Sequence, residues 1–178
     1  MNNIDISNWK PFRISDLFDV HKGTRLTRAN MKEGNMRYIG ASSFNNGITA
    51  YIANDTNIHP ANTITISYNG SVGEAFYQNQ PFWASDDVNV LYPKFRLSEN
   101  IALYIVPILK SVGRRYAFVD KWKKEDMEQA LIYLPVVQTG EPDFAYMEEF
   151  MCFILAKQRN KLQQLKDLAE SSLSPVSC

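Results

Sequence analysis

The chain has 178 residues, 45% of them hydrophobic and 21% charged, with 19 basic side chains balanced by 19 acidic ones. Ordinary globular composition at this length excludes a wholly disordered chain, and zero net charge excludes a partner drawn by global charge alone, whether nucleic acid or membrane surface. Two cysteines, Cys152 and Cys178, make neither a metal-ligand spacing nor a disulfide framework.

The start, MNNIDISNWKPF, lacks the basic-then-apolar order of a secretory leader. No window reaches the roughly 18 apolar residues of a membrane span, so a cytoplasmic location is expected. WKPFRISDLFDVHKG alternates as a short strand, with Ser15 and Asp16 placed to start a helical turn and Gly23 to end the unit. TRLTRANMKEGN reads as a polar, basic loop. MRYIGASSFNNGITAYI predicts strand, loop and strand, with Asn46-Gly47 as a tight-turn signal. NTITISYNGSVGEAFYQ repeats that grammar. Its alternation puts Thr63, Thr65 and Ser67 on one face and Ile64, Ile66 and Tyr68 on the other, ahead of Asn69-Gly70. Asp86 and Asp87, adjacent on a strand, would point to opposite faces, which favours loop anchoring over shared acid–base work. Trp83 and Trp122 are expected in the core.

From Leu97 the texture becomes helical. Ser98 is placed as an N-cap, and Pro107 predicts a kink or break in the apolar run that follows. WKKEDMEQALIYLPVV predicts a short helix or loop and then a strand ending at Pro135, and QTGEPD is a boundary. Beyond it, Asp143 caps a long helix with Glu148 and Glu149 near its start, where the helix dipole favours negative charge. Apolar residues fall at Met147, Met151, Ile154, Leu155, Leu162, Leu165 and Leu168, and Cys152 is expected as one more buried small hydrophobe. Leu155, Leu162 and Ala169 are seven apart, with Gln158 and Leu165 between them, which fits a coiled-coil seam. About 30 residues at roughly 1.5 Å each make a rod of about 45 Å. That exceeds what a small domain needs for its own core. A helix waiting for another helix is the preferred reading, and a helix folded back on the sheet is the alternative. The fold class expected is therefore α+β: a β-rich globular domain over residues 1–138, one long coiled-coil-type helix over 143–173, and a flexible tail over 174–178.

Charge position says more than charge total. Lys10 to Arg37 holds seven basic and three acidic residues, Lys110 to Lys124 holds six and one, and Tyr38 to Pro93 holds none and four. If the fold unites the outer blocks they form a phosphate-facing surface, and if not they are ordinary solvated faces. Catalytic patterns are missing. His21 and His59 stand without partner motifs, no G-x-S-x-G occurs, and NGSVGEA matches no phosphate-binding glycine spacing. The chain reads as a binder without catalytic or metal-binding residues. A β-rich carbohydrate- or protein-binding module with a coiled-coil tail would fit the polar, aromatic loops as well.

WKPFRISDLFDVHKG, NNGITAYI, ISYNGSVGEAFYQ with FWASDDV, and ALIYLPVV before a long helix occur in an order that resembles the target recognition domains of type I restriction–modification specificity subunits. The resemblance spans about Trp9 to Leu168. It implies a β-rich domain reading half of a split double-stranded DNA sequence, and a spacer helix that packs against a second one and docks methyltransferase subunits. It implies that those subunits carry S-adenosylmethionine and the adenine-N6 chemistry, while this chain binds no cofactor. Usual specificity subunits have two recognition domains and two spacer helices; with one of each, this chain looks like half of one. A homodimer, or pairing with another specificity chain, would restore the pair. In that setting the candidate DNA contacts are Lys22, Thr24, Arg25 and Arg28 in the first basic loop, and Ser43, Asn45 and Asn46 in the first turn. Asn69 and Ser71 belong to the second turn, and Arg114, Arg115, Lys121, Lys123 and Lys124 to the second basic block. For each Asn-Gly, a plain tight turn is the competing reading.

Overall fold

A computed structural model describes residues 6–116 and 121–173, the last three by backbone alone. In chain order the elements are β1 (Trp9–Arg13), α1 (Ile14–Leu17), β2 (Phe18–Lys22), β3 (Glu33–Ile39), β4 (Ile48–Ile52), β5 (Ile58–His59), β6 (Thr63–Ser67) and β7 (Ala75–Gln78). They continue as β8 (Phe82–Ala84), β9 (Val88–Pro93), α2 (Glu99–Gly113), α3 (Lys124–Gln129), β10 (Leu131–Pro135) and α4 (Phe144–Leu173). The expected α+β architecture with a long terminal helix is observed.

The strands pair out of sequence order. One antiparallel sheet runs β2-β9-β6-β7, and a second runs β4-β3-β8-β5 with β3 and β8 parallel. β1 and β10 form a separate antiparallel pair that joins the start of the head to the strand preceding α4. The first sheet is covered on both faces, which is why every residue of β6 is buried. Ile64, Ile66 and Leu91 pack with Leu109, Ile105 and Trp122 on the helical side. Ile39, Phe82, Ala84, Val88 and Val90 fill the space towards the second sheet. The alternation in TITIS thus separates two buried environments. The polar face survives burial because its hydroxyls find backbone acceptors: Thr63 donates to the Pro60 carbonyl at 3.0 Å and Thr65 to that of Phe76 at 3.3 Å.

Three local expectations change. Pro107 does not break α2, which continues from Glu99 to Gly113 around it; Ser98 does cap the helix, its hydroxyl accepting from the Ile101 amide at 3.1 Å. Asp86 and Asp87 lie in the turn between β8 and β9, not on a strand. Cys152 is exposed, because the position after the head-facing Met151 turns about a quarter of the way around the helix.

α4 has two environments along its length. Asp143 caps it by accepting from the Tyr146 amide at 2.9 Å. Phe144 stacks on Phe95, Phe150 meets Tyr104 edge-on, and Met147 is wholly buried. Glu148 accepts from Ser98 Oγ and from Asn100 Nδ2, the latter at 2.7 Å, and so ties the helix root to the start of α2. Met147 and Met151 therefore serve the head's own core and leave the proposed seam. Ile154 and Leu155 are half-buried, and from Ala156 to Glu170 every residue is exposed. The helix does not fold back along the sheets. Cys178 and the tail assigned to 174–178 lie outside the described residues.

His59 lies between the ring of Phe82 and Tyr92, its Nδ1 2.9 Å from the Tyr92 hydroxyl. Burial, and secondarily the neighbouring His21, push its pKa down to about 4. The unfolded chain then takes up this proton at about pH 6.5 while the folded chain resists it, so stability is full above that pH and falls as pH drops towards 4. Denaturant midpoints should correspond to about 2 kcal/mol less stability from this group at pH 5 than at pH 7.5, and His59→Gln should flatten that part of the profile. An unchanged slope in the variant would remove His59 as the cause.

Candidate nucleic-acid interface

Lys22, at the end of β2, pairs across the sheet with Asn89 of β9. The same end of the sheet carries the 68–74 turn, which follows Ser67, and the 85–87 turn, which precedes Val88. The second basic block arrives there by two routes. Gly113, at the end of α2, touches Gly73 backbone to backbone; a Cβ on Gly113 would lie 2.4 Å from Gly73 Cα. Trp122 then donates its amide to the Tyr68 carbonyl at 3.1 Å and stacks its ring on Tyr116 at 5.1 Å. Lys121, Lys123 and Lys124 are thereby held beside Tyr68, and Arg114 and Arg115 follow Gly113 on the exposed surface. Two segments far apart in sequence meet at one end of the first sheet.

The turns are braced by the two aspartates. Asn69 Nδ2 donates to Asp87 Oδ1 at 2.6 Å, and Asp86 faces Arg25 at 3.7 Å. Burial, then Asp87 and Asp86, raise the pKa of Tyr68, keeping its hydroxyl neutral. The Arg25–Asp86 pair is well exposed and contributes little stability, so its guanidinium can exchange partners cheaply. Lys124 meets Glu128 one helical turn on at 3.4 Å, also as a surface pair. Lys110 differs: it bonds Glu74 at 2.8 Å and lies over the Phe76 ring, which fastens α2 to β7.

The sequence candidates divide accordingly. Lys22, Arg25, Asn69, Ser71, Arg114, Arg115, Lys121, Lys123 and Lys124 gather around the 68–74 and 85–87 turns. Thr24 sits beside them, its carbonyl accepting from Trp83 Nε1 at 2.8 Å and its amide bonding the Ala84 carbonyl. Arg28 is exposed in a 3-10 turn, Arg28–Asn30. The first turn goes elsewhere. Its root, Ala41, lies against Gly70, and Ser43 is exposed, but Asn46 folds onto β7 and donates to the Tyr77 carbonyl at 3.0 Å. Asn45 donates to the Ile48 carbonyl at 3.2 Å. Both have φ near +50° and act as turn formers, the competing reading for this Asn-Gly. Asn69 is likewise a turn brace, since its amide is committed to Asp87.

Sequence reasoning missed Tyr68 and Asn89, whereas loop anchoring was expected of Asp86 or Asp87, and Asp87 anchors a loop through Asn69. Asn89 carried a signal, a lone amide inside the apolar run VNVL. Phe44 was missed as well, although it stands 79% exposed at the tip of the 40–47 loop. Among the described residues no group of three metal-ligating side chains occurs, and no helix is long and apolar enough to cross a membrane.

Comparison with known proteins supplies independent information. The sequence profile described as "Type I restriction modification DNA specificity domain" matches residues 6–167. The BgcI type II restriction enzyme specificity subunit S.BcgI of Heyndrickxia coagulans is 34% identical over 145 residues, covering 81% of this chain and 42% of that protein. The type I restriction–modification S subunit of M. genitalium has the same fold, with a TM-score of 0.60 at 16% identity over 97% of this chain and 47% of that one. The HsdS subunit of Thermoanaerobacter tengcongensis matches with a TM-score of 0.60 at 16% identity, over 89% and 41%. The chain thus spans less than half the length of each of these relatives.

Proposed function

Because this chain belongs to the family of type I restriction–modification DNA specificity domains, we propose that it selects the DNA sequence on which a modification complex acts. In this reading the head reads one half of a bipartite duplex site. α4 is the spacer that pairs with a second copy, or with another specificity chain, and holds two heads apart. Methyltransferase subunits dock on the assembly, bind S-adenosylmethionine and methylate adenine at N6. This chain supplies recognition and no catalytic group.

The observation that carries the reading is the union of the two basic segments at one end of the first sheet, around turns that contain no lysine or arginine. Phosphates are held by cations while base edges are read by polar groups on braced turns, and this end offers both. A carbohydrate- or protein-binding module would need no such convergence. A symmetric pair of heads would read an interrupted palindrome, because protein symmetry is mirrored in the site.

Methylome sequencing of a host expressing this chain with its neighbouring methyltransferase should reveal a split motif that vanishes when this chain is deleted. Binding of the assembled complex to a duplex carrying that motif should weaken steeply with salt, with a slope of about 0.9 per phosphate contacted. Methylation that persists without the chain, or binding insensitive to salt, would sink the proposal.

A further inference from the structure

A notch of about 130 Å³ opens where β2, the 68–74 turn and the start of α3 meet, lined by Lys22, Tyr68, Asn89, Lys123, Lys124 and Glu125. Three lysines and one glutamate are among these lining residues. Lys124 also has Glu128, but no carboxylate among the described residues pairs with Lys22 or Lys123. The floor is unusual. Asn89 is 1% exposed, its Oδ1 has no hydrogen-bond partner, and its Nδ2 has only the thioether of Met127 at 3.9 Å. A buried amide left this poorly satisfied costs stability. Its neighbour across the strands is Lys22.

We propose that this notch is the seat of a single backbone phosphate, with Lys22 and Lys123 as its ligands and Asn89 as the positioning residue beneath them. The inference rests on the DNA-reading function above and adds the point at which the head is fixed on its duplex. An incoming phosphodiester draws the two ammonium groups inward. Asn89 Oδ1 then accepts a hydrogen bond from one of them, so filling the notch satisfies the orphaned oxygen. A surface lysine holds a phosphate loosely; one anchored through a rigid strand pair holds it at a defined place. Sequence is then read at fixed offsets from that place. Because Lys22 belongs to the first basic block and Lys123 to the second, one phosphate would bridge the two.

The test pairs protein and DNA changes in the assembled complex with its methyltransferase subunits. The duplex carries the motif found by methylome sequencing, with one phosphate at a time replaced by uncharged methylphosphonate. With the native chain, one position is expected to cost about tenfold or more in affinity, the usual effect of losing a charge-assisted bond. The Lys22→Gln, Lys123→Gln chain should bind the unmodified duplex about that much more weakly and lose nothing further at that position. Asn89→Leu, checked for folding by circular dichroism, should behave like a partial form of the lysine variant. Losses that add between lysine variant and methylphosphonate at every position overturn the phosphate seat, while DNA reading itself stands. A native complex that binds no duplex specifically overturns both.

Discussion

Exchanging Leu162 and Leu165 together for glutamate is expected to abolish pairing of the chain and, with it, methylation at any split motif. Each side chain is 55% exposed on α4, far beyond the part of the helix that packs on the head, and the two lie three residues apart on one face. Covering a leucine stabilises by about 1.5 kcal/mol or more, and a symmetric pair of helices covers each position twice. Losing four such contacts amounts to about 6 kcal/mol, or roughly a 10⁴-fold weaker association. The head should be untouched, because neither residue contributes to its core. Sedimentation should show a dimer for the native chain and a monomer for the variant, with matching unfolding midpoints. A variant that still dimerises places the interface elsewhere. A native chain that stays monomeric at every concentration ends self-pairing and leaves a second specificity chain as the partner.

Trp122→Ala is expected to give the largest single loss within the head. The side chain is wholly buried, stacked on Tyr116, and its backbone amide ties the second basic block to Tyr68. Truncating a buried tryptophan costs about 3–5 kcal/mol. The low end is expected, because Trp122 Nε1 is itself buried without a partner and its removal relieves that penalty. Trp122→Phe keeps much of the ring and drops the orphaned donor, so it should cost clearly less. Denaturant unfolding reads both. At a temperature where Trp122→Ala is still folded, its complex should bind duplex DNA more weakly, because Lys121, Lys123 and Lys124 are no longer held beside Lys22. Native affinity in a folded Trp122→Ala chain would show that the position of this segment does not matter for binding.

These three residues also mark how far the sequence could be read. The exposed length of α4 was legible because its signal is local: a cap at Asp143, apolar residues at seven-residue spacing, and more length than a small head requires. The role of Met147 and Met151 was not, since a stripe gives the side that is buried and not the partner that buries it. Trp122 was legible as a core residue from its size alone. What it does for Lys121, Lys123 and Lys124 depends on a contact with Tyr68, 54 positions away. Asn45 and Asn46 carried two readings in the sequence, a DNA contact and a plain tight turn. Tight-turn chemistry identified them, but an amide in a turn satisfies a nearby carbonyl if it can: Ile48 of β4 supplied one for Asn45 and Tyr77 of β7 one for Asn46.

The sequence by itself determined the element types, the α+β class, the absence of a catalytic motif, and the uneven placement of charge along a neutral chain. Those follow from periodicity, capping and composition, which act over a few residues. Only the tertiary structure decided that β2-β9-β6-β7 and β4-β3-β8-β5 are the pairings. It also decided that α2 passes Pro107 to bring Gly113 against Gly73, and that Lys22 and Lys123 share one notch over Asn89. Strand order and the meeting of remote charges are set by how many side chains pack at once, and no local window contains that information.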